Sequence, residues 1–415
     1  MQPDWPQVTV CGSGTAALLA TALLARLLPP QHVTLVETPS EPDAAEYCTR
    51  LWPDAEALHR RIGLSDALLQ RHAGASRIAA ESFAGWPQAQ PWLLPADTEW
   101  VGHAVLHAWL RTPEVPVAEW LQTRETEGPP ALRIESAGYH ALLARLVASL
   151  PVRRVAAGTI GMERAADGRV AALLCAGQRI AADWIVDATG PAALIATAID
   201  AAEHAIDQPT VLLAVDEPAA ASTGPVDHWR ATPDGWELAL GGATSPRLRG
   251  LTGGADVSHG LALPARRRDP WTGNVLALGS ASFTPDPLTR MDLALVHSAL
   301  LRLAATLPGR NVLPAEQAEF ARHLLLEQDA ARDYALCLAQ IGRPGAFWTR
   351  AANLPPSAGL VHLRDQLGRR GRLPPREDST IPHGQWRALL AAMGRHPGQP
   401  DALARNDARR ATANR

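Results

Sequence analysis

Gly12-Ser13-Gly14-Thr15-Ala16-Ala17 follows a short apolar run, Gln7 to Cys11, and opens a helical pattern from Ala17 to Leu28 that Pro29-Pro30 closes. A second apolar run, His32 to Val36, ends in Glu37. Strand, Gly-rich turn, helix, strand and acid in this order is the arrangement that binds a dinucleotide. Gly12 allows the tight turn, Gly14 lets the backbone approach a pyrophosphate, and the small Ala17 lets the helix pack on its strand. Ser13, Thr15 and Ala16 complete the turn, and the free N–H groups of the helix start favour negative charge. Glu37 stands where a carboxylate accepts ribose hydroxyls. The alternative is an ordinary Gly-rich turn in an α/β protein.

The composition narrows what else is feasible. The chain has 415 residues, long enough for two lobes or a large domain with an appendage. Its formal net charge is −3, which excludes nucleic-acid binding through bulk positive charge. All 39 basic residues are Arg; no Lys occurs anywhere, so every lysine chemistry is excluded. Cys11, Cys48, Cys175 and Cys337 have neither C-x-x-C nor zinc spacing, so no metal site and no disulfide framework is expected. The N-terminus lacks a signal-peptide pattern, and the apolar run Ala16 to Ala25 is too short to span a bilayer. A cytoplasmic protein without membrane contact is the expectation.

These residues need elements to hold them. Val152 to Gly190 reads as strands around a turn at Asp167-Gly168, ending in Val186-Asp187-Ala188-Thr189-Gly190. Thr210 to Val215 is strand-like, and His228 to Leu240 reads as a hairpin about Pro233-Asp234-Gly235. Gly241 to Gly254 reads as a mobile loop or lid, or else a surface connection. Gly273 to Phe283 is a buried strand and small-residue turn, and Leu293 to Leu307 is a helix. Residues 314–350 and 386–394 have helical apolar spacing, and the tail after Gln399 is expected to fray.

The Asp187–Gly190 segment resembles the strand end beside the flavin in two-domain FAD monooxygenases. The chain as a whole resembles the flavin-dependent tryptophan halogenases. The likeness runs through the Gly12–Ala17 turn, Gly74–Arg77 with Phe83–Trp86, Asp187–Gly190, Gly273–Leu288, Phe347-Trp348 with Leu354-Pro355, Trp386 and Met393-Gly394. It implies an α/β chain with a glutathione-reductase-type FAD-binding fold, a β-sheet substrate layer and a helical C-terminal lobe. The FAD-binding domain would comprise residues 1–200 and 265–312, the substrate-side sheet 201–264, the helical lobe 313–398 and a flexible tail 399–415. Gly279, Phe283 and Pro287 would join Gly12–Ala17, Glu37, Asp187 and Gly190 around the FAD.

The departures bear on the chemistry. Halogenases have a Lys where this chain has Arg77, and guanidinium is a poor nucleophile that stays protonated. The family's Pro-Leu-Glu-Ser-Thr-Gly becomes Pro287-Leu288-Thr289-Arg290-Met291-Asp292, and its Trp-x-Trp-x-Ile-Pro becomes Trp236 to Gly241. Its Gly-Glu-Ala-Thr-Ile-Pro loop becomes Cys48 to Pro53. The flavin-holding parts survive and the halogen-handling parts do not. The resemblance therefore implies an FAD monooxygenase in which a flavin C4a-hydroperoxide passes oxygen directly to an electron-rich aromatic ring, a tryptophan or indole. A Lys-lacking branch of the family hydroxylates a peptide-borne Trp in tryptophylquinone biogenesis for quinohemoprotein amine dehydrogenase, and this chain resembles it in size and in lost motifs. The expected co-substrates are O₂ and either NAD(P)H or reduced flavin from a partner reductase; the expected partner is an aromatic substrate, free or in a Trp-containing protein or peptide. Arg77 is the candidate fixed cation. His103, His107, His140, Asp292 and His297 are the candidates for proton removal, and Trp86, Trp92 and Trp236 for an aromatic pocket. A halogenase with a rearranged site, a non-catalytic flavoprotein and an FAD-dependent reductase remain as other readings.

Overall fold

The computed structural model describes residues 5–39, 47, 50–52, 55–87, 91–96, 98, 131–200, 203–204, 206–216, 224–241, 247–252, 260–262, 266–377 and 380–393. The chain forms two compact units, one of residues 1–76, 132–206 and 263–328, the other of 77–131, 207–262 and 329–415. Residues 77–131, assigned from sequence to the FAD-binding domain, thus cluster with the second unit, and the first unit extends to residue 328 rather than 312.

The first unit is built on a parallel sheet. Val8–Cys11 lies between Val33–Glu37 and Trp184–Asp187; Arg153–Ala156 extends one side and Val275–Ala277 the other, with a short antiparallel Trp271–Thr272 at the edge. Strand alternation sends side chains to two different layers. Val8, Val10, Val33, Leu35, Trp184, Val186 and Leu276 share a core with the helices Thr15–Leu27, Ser136–Ala148 and Asp292–Thr306. Cys11, Val36, Ile185, Val275 and Ala277 pack instead with Val170, Leu173, Cys175 and Ile180. Those four residues come from a three-stranded antiparallel meander, Ile160–Arg164, Val170–Cys175 and Gln178–Ala181.

Helices on one face and a meander on the other are what the glutathione-reductase-type plan requires. Residues Ala17 to Ala25 are all buried, which explains a helix of almost pure Ala and Leu; a helix buried all round needs no polar stripe. Each Leu so buried contributes about 2 kcal/mol. Asn274 ties the meander to the sheet: its amide exchanges two hydrogen bonds of 2.9 Å with the Val170 backbone and donates to the Asp183 carbonyl at 3.1 Å.

The second unit holds a seven-stranded sheet in the order 260–262, 212–216, 247–251, 235–239, 226–232, 80–84, 92–95. The hairpin about Pro233-Asp234-Gly235 is present as Val226–Thr232 and Gly235–Ala239. Part of the expected Gly241–Gly254 loop is instead the strand Arg247–Leu251, paired on both sides. Its Arg and Leu residues alternate between half-buried and buried, a period that the flanking glycines obscured. The helices Ala346–Asn353, Ala358–Arg370 and His383–Ala392 also belong to this unit. The sequence reading missed Ala358–Arg370, whose start is capped by Ser357 Oγ accepting from the Leu360 N–H at 3.0 Å. The tail after Gln399 lies outside the described residues.

Candidate active site

A cleft crosses the carboxyl ends of four adjacent strands of the parallel sheet. Its wall takes Thr38 after Val33–Glu37, Ser13–Ala16 after Val8–Cys11, Ala188–Gly190 after Trp184–Asp187, and Leu278–Ser280, Ser282 and Phe283 after Val275–Ala277. Ile134, Ser136, Tyr139, Asp292, Leu295, Val296, Leu324 and Gln328 also contribute. Strand ends about 4.8 Å apart give a trough on the order of 14 Å across four of them. Its atom-free volume, open mouth included, is about 1050 Å³.

The ends of the strands are locked so that this trough has a fixed shape. Past Cys11, Gly12 N donates to the Val36 carbonyl at 2.9 Å, and Ala188 N donates to the Cys11 carbonyl at 2.9 Å. Gly12 has φ +133°, and a Cβ there would overlap the Ala188 carbonyl, so only glycine lets the two chains cross. Gly12 itself does not line the cleft, whereas Gly14 does. A Cβ at Gly14 would meet nothing within 4 Å: it would project into free space. Gly14 is also the N-cap of Thr15–Leu27, with no side-chain capping bond and no acid in the first turn. The first N–H groups of that helix are left for an anion. His140 Nε2 lies 2.8 Å from the Ser13 carbonyl and Ser13 Oγ donates to the Thr38 carbonyl at 2.5 Å, fixing the turn from both sides. The residues therefore fit FAD: a pyrophosphate at the Gly14–Ala16 helix start, with room on both sides for its two halves.

Five of the expected cofactor residues, Gly12, Ala17, Glu37, Asp187 and Pro287, do not line the cleft. Asp187 is fully buried, and its carboxylate accepts from Thr189 N and Oγ1 and from Ile195 N and Ala196 N, at 2.7–3.1 Å. It does not line the cleft; it clamps the Ala188–Gly190 turn that does. Glu37 forms an ion pair with Arg154 at 2.6 Å and is also outside the lining, while its neighbour Thr38 is within it. Pro287 is buried in a tight turn, with Arg290 N donating to its carbonyl at 3.2 Å. Ala17 is buried in the core. Gly190, Gly279 and Phe283 line the cleft, and both glycines have positive φ.

Of the candidates for chemistry, Asp292 is the first residue of its helix, is buried and lines the cleft. His297 does not line the cleft. It is fully buried, with neither ring nitrogen hydrogen-bonded, and its ring centroid lies 5.3 Å from that of His59. Burial first, and the nearby His59 second, push its pKa well below the ordinary value. His59 Nε2 lies 2.7 Å from the Tyr139 hydroxyl, and burial lowers its pKa to about 4. Burial raises the Tyr139 pKa. Cys11 is a buried thiol whose pKa is raised by burial and then by Asp187 and Cys175, which keeps it unreactive. Arg77 is exposed on the strand Ser76–Ile78. His103 and His107 lie outside the described residues.

Trp86, Trp92 and Trp236, expected to line an aromatic pocket, are core residues of the second unit. Trp86 and Trp236 are fully buried, their indole N–H groups donating to the Leu338 carbonyl at 2.6 Å and to Thr210 Oγ1 at 3.0 Å. Trp92 stacks on Phe83 at 4.4 Å.

Two segments that depart from the halogenase pattern meet. Trp52 Nε1 donates to the Arg290 carbonyl at 3.1 Å, and Arg50 lies over the Trp52 ring at 4.2 Å. Arg290 is fully buried with φ +52°, an uncommon conformation for a residue with a side chain. Thr38, Tyr139, Ser282 and Gln328 are cleft residues that the sequence reading missed. Only Ser282, inside the quoted Gly273–Leu288 motif, carried a signal.

A Gly-rich turn on a parallel sheet, a meander and a trough over the strand ends define a dinucleotide-binding α/β protein. The family model for tryptophan halogenase matches residues 7–239 and 254–409, and the chain belongs to that family. Its members are oxidoreductases that use FAD, reduced flavin and O₂, with a separate flavin reductase and an aromatic substrate. The fold is similar to that of Xcc4156, a flavin-dependent halogenase from Xanthomonas campestris: TM-score 0.79, 21% identity, covering 96% of this chain and 91% of that one. It is similar also to BrvH, a flavin-dependent halogenase from Brevundimonas sp. BAL3: TM-score 0.81, 18% identity, 98% and 93% coverage. The tryptophan halogenase from Shewanella frigidimarina gives TM-score 0.77 at 18% identity, with 98% and 93% coverage. Comparison with curated proteins gives no match. Among the described residues, no helix is long and apolar enough to cross a membrane.

Proposed function

We propose that this protein is an FAD-dependent monooxygenase that hydroxylates an electron-rich aromatic ring, a tryptophan or indole, free or carried in a protein or peptide. One observation carries the reading: a halogenase needs an amine to carry electrophilic halogen, and no Lys exists among the 415 residues. The turn at Thr289–Asp292 supports it, since the residues that neighbour the halide in the family are replaced by a buried Arg290, Met291 and Asp292.

Bound FAD, reduced by a partner flavin reductase, supplies two electrons and the site at which O₂ is activated. The chain supplies the rest. The Gly14–Ala16 helix start would hold the pyrophosphate, and Leu293, Leu295 and Val296 give the cleft wall apolar surface. The ring carbon gains one oxygen atom, the other leaves as water, and the proton of that carbon must be taken up. Asp292 is the buried carboxylate in the cleft able to hold it. His297 is set aside by its burial and lowered pKa.

The test is the purified protein with a flavin reductase, NADH, ¹⁸O₂ and tryptophan or Trp-containing peptides, with chloride and bromide present. A product carrying one ¹⁸O and no halogen is expected. A chlorinated or brominated product overturns the reading in favour of a halogenase with a rearranged site, and failure of the protein to take up FAD overturns it altogether.

A further inference from the structure

Ser282 and Gln328 form a polar pair in the cleft wall that the folded chain leaves incomplete. Ser282 ends the turn Gly279–Ala281, and its backbone is fully used: its N–H donates to the Gly279 carbonyl at 2.8 Å and its carbonyl accepts from Arg267 N at 3.0 Å. Gln328, on the helix Pro314–Ala339, donates from Nε2 to Ser282 Oγ at 3.1 Å. Gln328 Oε1 has no hydrogen-bond partner although the residue is only 2% exposed. An unsatisfied buried amide oxygen destabilises the fold unless a ligand or water completes it. With Nε2 donating to Oγ, the hydroxyl proton of Ser282 and the carbonyl of Gln328 are both left for a third group. A neighbouring donor and acceptor complement a hydroxyl, which is both.

The topology says which part of FAD this pair would meet. With the pyrophosphate on Gly14–Ala16, the cleft continues one way to Thr38, beyond the second strand, where the adenosine ribose belongs. The other way it passes Gly190 to Gly279–Phe283, two strands on, and Ser282 and Gln328 lie at that end. The flavin half, with its ribityl polyol, occupies that end. We infer that Gln328 and Ser282 bind the ribityl hydroxyls of FAD and so distinguish the flavin half of the cofactor from its nucleotide half. This inference rests on the FAD reading above.

The experiment measures affinities of oxidised FAD, by flavin fluorescence quenching, and of ADP, by calorimetry, for the full chain. Gln328→Met keeps the shape and removes the amide, both the free acceptor and the donor to Ser282 Oγ; Ser282→Ala removes the hydroxyl. Each variant is expected to bind FAD about tenfold more weakly, one hydrogen bond's worth, with ADP unchanged. FAD affinity unchanged in both variants overturns the inference, as does an equal loss for FAD and ADP, which would place the pair on the nucleotide side or in the fold alone. A wild-type chain that binds neither ligand refutes the FAD reading itself, not this assignment.

Discussion

Gly12 and the carbonyl of Ala188 meet so closely that no side-chain atom fits between them. The crossing brings the end of the first strand against the turn after Trp184–Asp187, so the two cleft walls are set by one backbone contact. Gly12→Ala must move that carbonyl and also hold φ +133°, which costs about 3 kcal/mol. Thermal unfolding should show a large loss in melting temperature, with FAD affinity lowered by at least about tenfold in the protein that folds. Gly14→Ala provides the contrast: its Cβ meets no protein atom, so stability should hold while FAD binding weakens. Equal behaviour of the two variants contradicts this division of labour.

Asp187 should prove to be a clamp rather than a ligand. Asp187→Asn puts an amide NH₂ where four donors converge on a carboxylate, so at least one N–H loses its acceptor. A stability loss of about 3 kcal/mol is expected from denaturant midpoints. Saturating FAD should restore part of it by mass action. A variant as stable as wild type, with FAD binding abolished, would return Asp187 to the role of direct ligand.

The nucleotide half of the site was legible because its chemistry is local: Gly12, Gly14 and Gly190 sit in short motifs beside apolar runs. Glu37 was legible as an acid at a strand end, but its ion pair with Arg154 depends on a strand more than a hundred residues away. Gln328 carried no signal, since one amide in a long polar-faced helix looks like surface until the helix is packed. The Trp residues misled in the opposite direction. An indole in a motif invites a ligand, but Trp86, Trp92 and Trp236 each have a partner for the indole N–H inside the second unit, which lets them serve as core.

Acid should destabilise the protein through its buried histidines. His59 has a folded pKa lowered from 6.5 to about 4, and His297 is shifted in the same direction. Between these values the unfolded chain binds more protons than the folded one, so stability falls as pH drops through that window and levels off below the folded pKa. His59 alone contributes about 3 kcal/mol across it. The measurement is urea unfolding between pH 8 and about 4 for wild type and for a His59→Gln, His297→Leu double variant. The wild-type curve should drop more steeply below pH 6.5 than the variant curve. Parallel curves would mean that neither ring titrates as buried and neutral.

Trp86 gives the sharpest separation of packing from recognition. Its ring is fully buried, lies 5.1 Å from the Trp348 ring and 5.4 Å from Phe83, and its N–H donates to the Leu338 carbonyl. Trp86→Phe loses the hydrogen bond and part of the indole volume, with an expected cost of about 2 kcal/mol. Since no face of the ring is open, KM for an aromatic substrate should stay within about twofold of wild type while the melting temperature falls. The two readouts oppose each other cleanly. A KM raised about tenfold with unchanged stability would make Trp86 a substrate residue, and would require the ring to leave the cluster that buries it.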